Sequence, residues 1–197
     1  MRILFLTNNP QTSDSLYEWL SMRGEDMVYK DCPVDGNFVR DNSIEFAISY
    51  NYYNIIRKDV IDLLPRRIIN LHISLLPYNR GMHPNIWNFI EGTPHGVTIH
   101  EIDEGVDTGD ILLQEQLVFD PELETLRTSY DKLHKSIQTL FRENWHLIKN
   151  GEISPRMQEG AGNVHKKTDL LFLSSVIDYD VTVSSLLLKI ENTISQS

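Results

Sequence analysis

Cysteine is nearly absent. Cys32 is the single thiol in 197 residues, so no internal disulfide and no cysteine-built zinc site can form, which fits a reducing compartment. Long apolar runs are absent too. The N-terminal run Ile3–Leu6 is four residues, against ~7–15 for a secretory signal. No stretch approaches the ~20 apolar residues of a membrane span. Positive charge is scarce: 18 Lys+Arg against 28 Asp+Glu leave a net charge of −10. That balance argues against the broad basic face a large nucleic-acid footprint usually needs, while leaving room for a local basic pocket for one small anion. With 41% hydrophobic and 23% charged residues, the chain has the composition of an ordinary folded domain. At this length about 70% of the unfolded surface can be buried, so a core needs no staples. The reading is a soluble, acidic, cytoplasmic protein without a membrane or nucleic-acid partner.

Short apolar runs alternate with helical periodicity along the first two-thirds of the chain. Ile3–Leu6, Met27–Tyr29, Phe46–Ser49 and Ile68–His72 read as strands, the apolar ones as buried strands. Asp14–Met22 and Arg57–Leu64 read as helices stopped by Gly24 and Pro65. Pro84–Glu91 reads as a helix with proline in its first turn, and Val97–Ile102 and Ile111–Leu117 as strands around a Gly/Asp-rich turn. Thr125–Lys149 is a long amphipathic helix capped by Thr125, and Asp178–Ile194 a terminal helix. The alternation predicts an α/β fold, a Rossmann-like, mainly parallel sheet flanked by helices. Residues 1–150 are expected to form the catalytic domain and 151–197 a short C-terminal appendage that completes the substrate site or a dimer contact.

Chemistry concentrates between Ile68 and Gln114. Asn70 and His72 are two apart on a strand, so they share a face. Their strand runs into Ser74-Leu75-Leu76-Pro77, at the carboxyl end where open α/β sheets hold ligands. Both side chains can donate to one developing oxyanion. Asp107, in a turn, can reach a histidine and favour its charged form. A single strand-end histidine is more often structural, and an Asp in a Gly-rich turn is ordinary turn chemistry. The combination is what points to function. The remaining histidines lack metal-ligand spacing, so no metal is expected.

Taken together, Asn70-Leu71-His72, Ser74–Pro77, Gly81, His95-Gly96, Val106-Asp107-Thr108-Gly109 and Gln114 resemble the folate-dependent formyltransferases. The resemblance implies N10-formyltetrahydrofolate as co-substrate and Asn70, His72 and Asp107 as the catalytic trio. It implies a folate pocket formed by Ser74, Leu75, Leu76 and Pro77, with Tyr50, Tyr53, Ile102 and Asp103 beside it. A neutral amine would attack the formyl carbon, with Asn70 and protonated His72 stabilising the oxyanion.

The acceptor is narrowed by departures from the family's branches. The loop after the first strand, Thr7-Asn8-Asn9-Pro10, has no glycine, unlike the phosphate loop of the glycinamide-ribonucleotide enzymes. The acidic balance and the short segment after Gly151 disfavour the methionyl-tRNA enzymes. Tyr78–Trp87 and Gln158–Lys166 instead resemble nucleotide-sugar N-formyltransferases. That implies a dTDP-linked 4-amino-4,6-dideoxyglucose type of acceptor, destined for surface polysaccharide, and a homodimer. Asn9, Tyr78, Arg80, Gly81, His83, Trp87, Gln158, His165 and Lys166 are then the expected substrate contacts. Arg80, His165 and Lys166 can pair a diphosphate, or be solvated surface charges. Trp87 fits either base stacking or helix-core packing. A formyltetrahydrofolate deformylase, with water as acceptor, and a non-catalytic binding protein are the competing readings.

Overall fold

The computed structural model describes residues 1–195, which divide into two compact units. Unit 1 holds Met1–His72, Ile99–Leu113 and Phe141–Gln158. Unit 2 holds Ile73–Thr98, Gln114–Leu140 and the described residues from Glu159 onward. The chain begins with β1 (Arg2–Leu6), α1 (Pro10–Met22), β2 (Asp26–Lys30), α2 (Gly36–Asp41) and β3 (Phe46–Tyr50). It continues through α3 (Lys58–Leu63), β4 (Ile68–His72), β5 (Arg80–Gly81), α4 (Pro84–Glu91) and β6 (His95–Glu101). Next come β7 (Ile111–Leu117), α5 (Leu126–Asn150), β8 (Val164–His165), a 3-10 helix over Lys167–Leu173, and α6 (Val183–Ile194).

The architecture is a mostly parallel central sheet flanked by helices, in the order β2-β1-β3-β4-β6-β7. β1 pairs in parallel with β2 and β3, and β3 with β4. Every residue of β3 is buried, and so are four of the five in β1. Burial on both faces is why these strands read as unbroken apolar runs rather than alternations. β1 lies between β2 and β3, so the chain turns to opposite sides of it in succession. In open sheets such a switch point marks the ligand-bearing carboxyl edge.

Two helices start away from the expected residue, and one, α2, has no counterpart among the expected elements. α1 starts at Pro10 rather than Asp14, because proline at the first helical position gives up only an N–H that would be unpaired anyway. Ser13 Oγ donates to the Asn9 carbonyl at 2.7 Å and secures that turn. The short α2 carries no apolar periodicity; Asp35 makes it, accepting from the Phe38 N–H at 2.9 Å. α6 starts at Val183 rather than Asp178, with Thr182 as its cap. α5 follows Thr125 as expected, the hydroxyl accepting from the Thr128 N–H at 3.1 Å.

In unit 1, Leu4, Leu6, Ala47, Val60 and Ile68 form one core. The Trp145 ring packs against Phe46 and Phe141, with centroids at 5.6 and 5.2 Å. Beside it sits a buried charge. Glu25 accepts from Trp145 Nε1 at 3.2 Å and from the Lys149 ammonium. Burial alone would raise the Glu25 carboxyl; the bonds from Lys149 and Trp145 and the Lys149 charge outweigh it and hold the carboxyl below its ordinary value. A depressed carboxylate stabilises the fold above its unfolded value, and that contribution fades as pH falls through the folded one. Glu25→Gln should therefore cost about 2 kcal/mol near neutral pH. Thermal unfolding should show the gap to wild type closing below pH ~4; a gap that stays constant down to acid pH would contradict this.

In unit 2, Ile86, Phe89, Leu126, Leu173, Leu186 and Ile190 are among the core residues. The described residues from 159 to 195, expected as part of an appendage, pack in this unit with 73–98 and 114–140.

Candidate active site

Within unit 1 the strand β4 ends in Asn70-Leu71-His72, with His72 its last residue. Period two sets Asn70 and His72 on one face. The turn after β6 returns Asp107 to that face. Asn70 Nδ2 donates to Asp107 Oδ1 at 3.0 Å, and His72 Nδ1 lies 3.6 Å from Asp107 Oδ2, an ion-pair distance. The three residues expected to act together are together. His72 is 7% exposed, and the Asp107 side chain 14%, so little water screens the contact between them.

A fourth side chain completes the cluster, and sequence reasoning missed it. His100 on β6 is 1% exposed. Its Nδ1 lies 2.7 Å from the Glu101 carbonyl, which can only accept, so Nδ1 carries a proton. Its Nε2 lies 3.2 Å from Asn70 Nδ2 and 3.4 Å from Asp107 Oδ1. In the neutral ring Nε2 accepts, and both hydrogens of the Asn70 amide are then engaged, one by Asp107 and one by His100. With His100 neutral, Asn70 is a donor facing two acceptors. Nothing in the spacing of His100 announced this; it follows from β6 lying next to β4 in the sheet.

The Asp107 turn is built for one conformation. Asp107 itself is left-handed, φ +51°. Asp103 Oδ1, expected at the folate, accepts from the Gly105 N–H at 3.0 Å and the Thr108 hydroxyl at 2.6 Å. Gln158, expected at the sugar nucleotide, donates through Nε2 to the carbonyls of Asp107 and Gly109, both at 2.8 Å. Ile102 packs against the unit 1 core, and Tyr50, on β3, is fully buried. Tyr53 is 62% exposed, its N–H donating to Asn8 Oδ1 at 2.8 Å. Asn9 starts α1 through its carbonyl.

The other expected contacts belong to unit 2. Ser74 donates to the Tyr78 carbonyl, and Leu76 and Pro77 are joined by a cis peptide. The Leu76 N–H donates to Thr98 Oγ1 at 3.2 Å and its carbonyl accepts from Gln114 at 2.8 Å. Arg80-Gly81 forms β5, paired in parallel with β8. Gly81 is required there: φ is +83°, and a Cβ would lie 2.3 Å from the His165 carbonyl. His83 is left-handed and precedes α4. Trp87 is 8% exposed, lies in the unit 2 core, and stacks flat on His165, with centroids 4.0 Å and planes 7° apart. His165 Nε2 lies 3.2 Å from both Glu91 Oε1 and Asn79 Oδ1. Trp87 and His165 are therefore engaged with each other and with an internal polar network that also holds Asn163 and Asn79. The Lys166 N–H caps onto Asp169 at 2.7 Å.

The pattern of the formyl transferase family matches residues 36–143, more than half of the chain and the stretch that carries Asn70, His72, His100 and Asp107. The chain belongs to the formyl transferase family. Among solved formyl transferases it is similar to PseJ from Anoxybacillus kamchatkensis, in complex with UDP-4,6-dideoxy-4-formamido-L-AltNAc and tetrahydrofolate. The two are 37% identical with a TM-score of 0.87, over 96% of this chain and 99% of that one. A 4-N formyltransferase from Francisella tularensis shares the fold at 24% identity and a TM-score of 0.75, over 95% and 85% of the two chains. In sequence, methionyl-tRNA formyltransferase of Desulfotalea psychrophila is 37% identical over 139 residues, 68% of this chain and 42% of that protein. The chain thus spans less than half the length of such curated relatives. Among the described residues no helix is long and apolar enough to cross a membrane. Nor does any group of three or more His, Cys, Asp or Glu side chains there suit a metal ion.

Proposed function

We propose that the chain transfers a formyl group from N10-formyltetrahydrofolate to the 4-amine of a nucleotide-linked 4-amino-4,6-dideoxy sugar. The near end-to-end likeness to PseJ carries this reading, and it favours a UDP carrier over the dTDP carrier expected from sequence. The net charge of −10 supports a small acceptor over tRNA.

The donor set suits acyl chemistry. The folate supplies the formyl carbon: the amine nitrogen bonds to it, its bond to N10 breaks, and one proton passes from amine to N10. Asn70 Nδ2 serves the negative charge that gathers on the formyl oxygen, leaving one of its two internal acceptors to do so. His72 turns Nδ1 to Asp107 and works through Nε2, donating to the same oxygen as an imidazolium. Asp107 favours that charged form and lies within reach of both other members, so it can take the proton the amine releases. Ser74–Pro77 remain the proposed folate contacts.

The test is an acceptor panel with N10-formyltetrahydrofolate: UDP- and dTDP-linked 4-amino-4,6-dideoxy sugars, methionyl-tRNA, and buffer alone. Tetrahydrofolate release matched by a new sugar formamide is the expected result. Release with methionyl-tRNA alone, or formate release without any amine, would overturn it.

A further inference from the structure

We propose that Gln158 is a positioning residue that sets the Asp107 carboxylate, rather than a contact for the sugar nucleotide; the inference rests on the formyl-transfer reading above. One amide nitrogen carries two hydrogens, and here each has its own carbonyl, Asp107 O and Gly109 O, both at 2.8 Å. The Asp107 carbonyl belongs to the 107–108 peptide and the Gly109 carbonyl to the 109–110 peptide, so the amide fixes the orientation of both units around Thr108. This is the segment that needs fixing. Asp107 sits at φ +51°, which costs a residue with a Cβ about 1 kcal/mol. Elsewhere in the turn, Asp103 braces Gly105 and Thr108, and the Glu101 N–H closes on the Asp110 carbonyl at 2.8 Å.

Gln158 is itself held. Two residues earlier, Arg156 pairs with Ile111 through both backbone bonds, Ile111 N–H to Arg156 O at 2.8 Å and Arg156 N–H to Ile111 O at 3.0 Å. The strap after α5 is thereby fastened to the start of β7, just beyond the turn. A glutamine there spans to both carbonyls. Glutamate, of the same shape, presents only acceptors to acceptors, and alanine presents nothing. The residue therefore couples the strap to the carboxylate that His72 and Asn70 share.

The experiment compares Gln158→Glu and Gln158→Ala with wild type, in steady state and in an Asp107→Asn background under single turnover. Since a displacement near 1 Å can cost up to ~100-fold, we expect kcat to fall about 30-fold in Q158E and about 10-fold in Q158A. KM for folate and acceptor should stay within about 2-fold, because neither binding surface is altered. In the D107N background either substitution should add less than about 2-fold, since the carboxylate it positions is gone. Wild-type kcat in Q158E would overturn the proposal. So would a rise confined to KM of the sugar, which marks a substrate contact, or an equal loss with and without Asp107. If the wild-type chain formylates no acceptor, the reading of the reaction fails instead. The clamp is then decided by the imidazole ¹⁵N resonances of His72: displaced in Q158E they support it, unmoved they overturn it.

Discussion

His72→Ala should lower kcat for formyl transfer by about 10³-fold or more while the protein stays folded. Two contributions vanish together. The donor to the formyl oxygen is lost, which alone is worth roughly 10²–10³, and so is the group through which Asp107 acts on the reacting atoms. A 10³-fold loss corresponds to about 4 kcal/mol of barrier. The ring is 7% exposed and meets His100 edge-on, with centroids 6.3 Å apart, so removing it also leaves a small void. Circular dichroism and tetrahydrofolate binding separate that cost from chemistry. His72→Asn keeps a polar side chain but no imidazole, and should lose nearly as much. Activity above a tenth of wild type in both variants would remove His72 from the mechanism.

The trio was legible as a combination, through the resemblance of the whole motif, and two of its members carry a local signal as well. Asn70 and His72 are two apart on a strand whose apolar neighbours Ile68, Ile69 and Leu71 are buried, so the pair had to share a face at the strand's end. The buried strands were legible for the same reason, as unbroken apolar runs between turns. His100 was not. It shares a face of β6 with Thr98, and only the order of strands in the sheet brings it to Asn70; strand order is a long-range property that no local pattern encodes. Gln158 was noticed, yet its partners are two carbonyls, and backbone acceptors leave no trace in side-chain chemistry. Trp87 shows the opposite case. Its apolar neighbours on α4 favoured core packing as much as ligand stacking, and in the fold its ring lies against His165, itself tied to Glu91 and Asn79.

Gly109→Ala should cost about 10² in kcat, although its added methyl lies on no side chain of the trio. Gly109 is outside the left-handed region, so alanine meets no φ penalty there and the whole effect is one of space. A Cβ at 109 would lie 1.9 Å from the Glu101 carbonyl oxygen and 2.7 Å from its carbon. Backbone cannot rotate aside as a side chain can, so the turn or β6 must move. That same carbonyl receives His100 Nδ1 at 2.7 Å, and the Gly109 carbonyl is one of the two held by Gln158. One methyl therefore pushes on the support of His100 and on the clamp of Asp107 at once. Overpacking of this kind also costs roughly 1–3 kcal/mol of stability, so the melting temperature should fall by some degrees. Gly105→Ala is the graded comparison. Its Cβ would lie 2.0 Å from Thr108 Oγ1, so that hydroxyl must leave Asp103 while the Glu101 backbone stays in place, and kcat should fall by less, about 10-fold. If G109A keeps wild-type kcat, or if G105A loses as much, the rigidity of the Asp107 turn is not what sets the rate. If the two differ as expected, it is the close approach of two backbones, and not the carboxylate alone, that makes Asp107 usable.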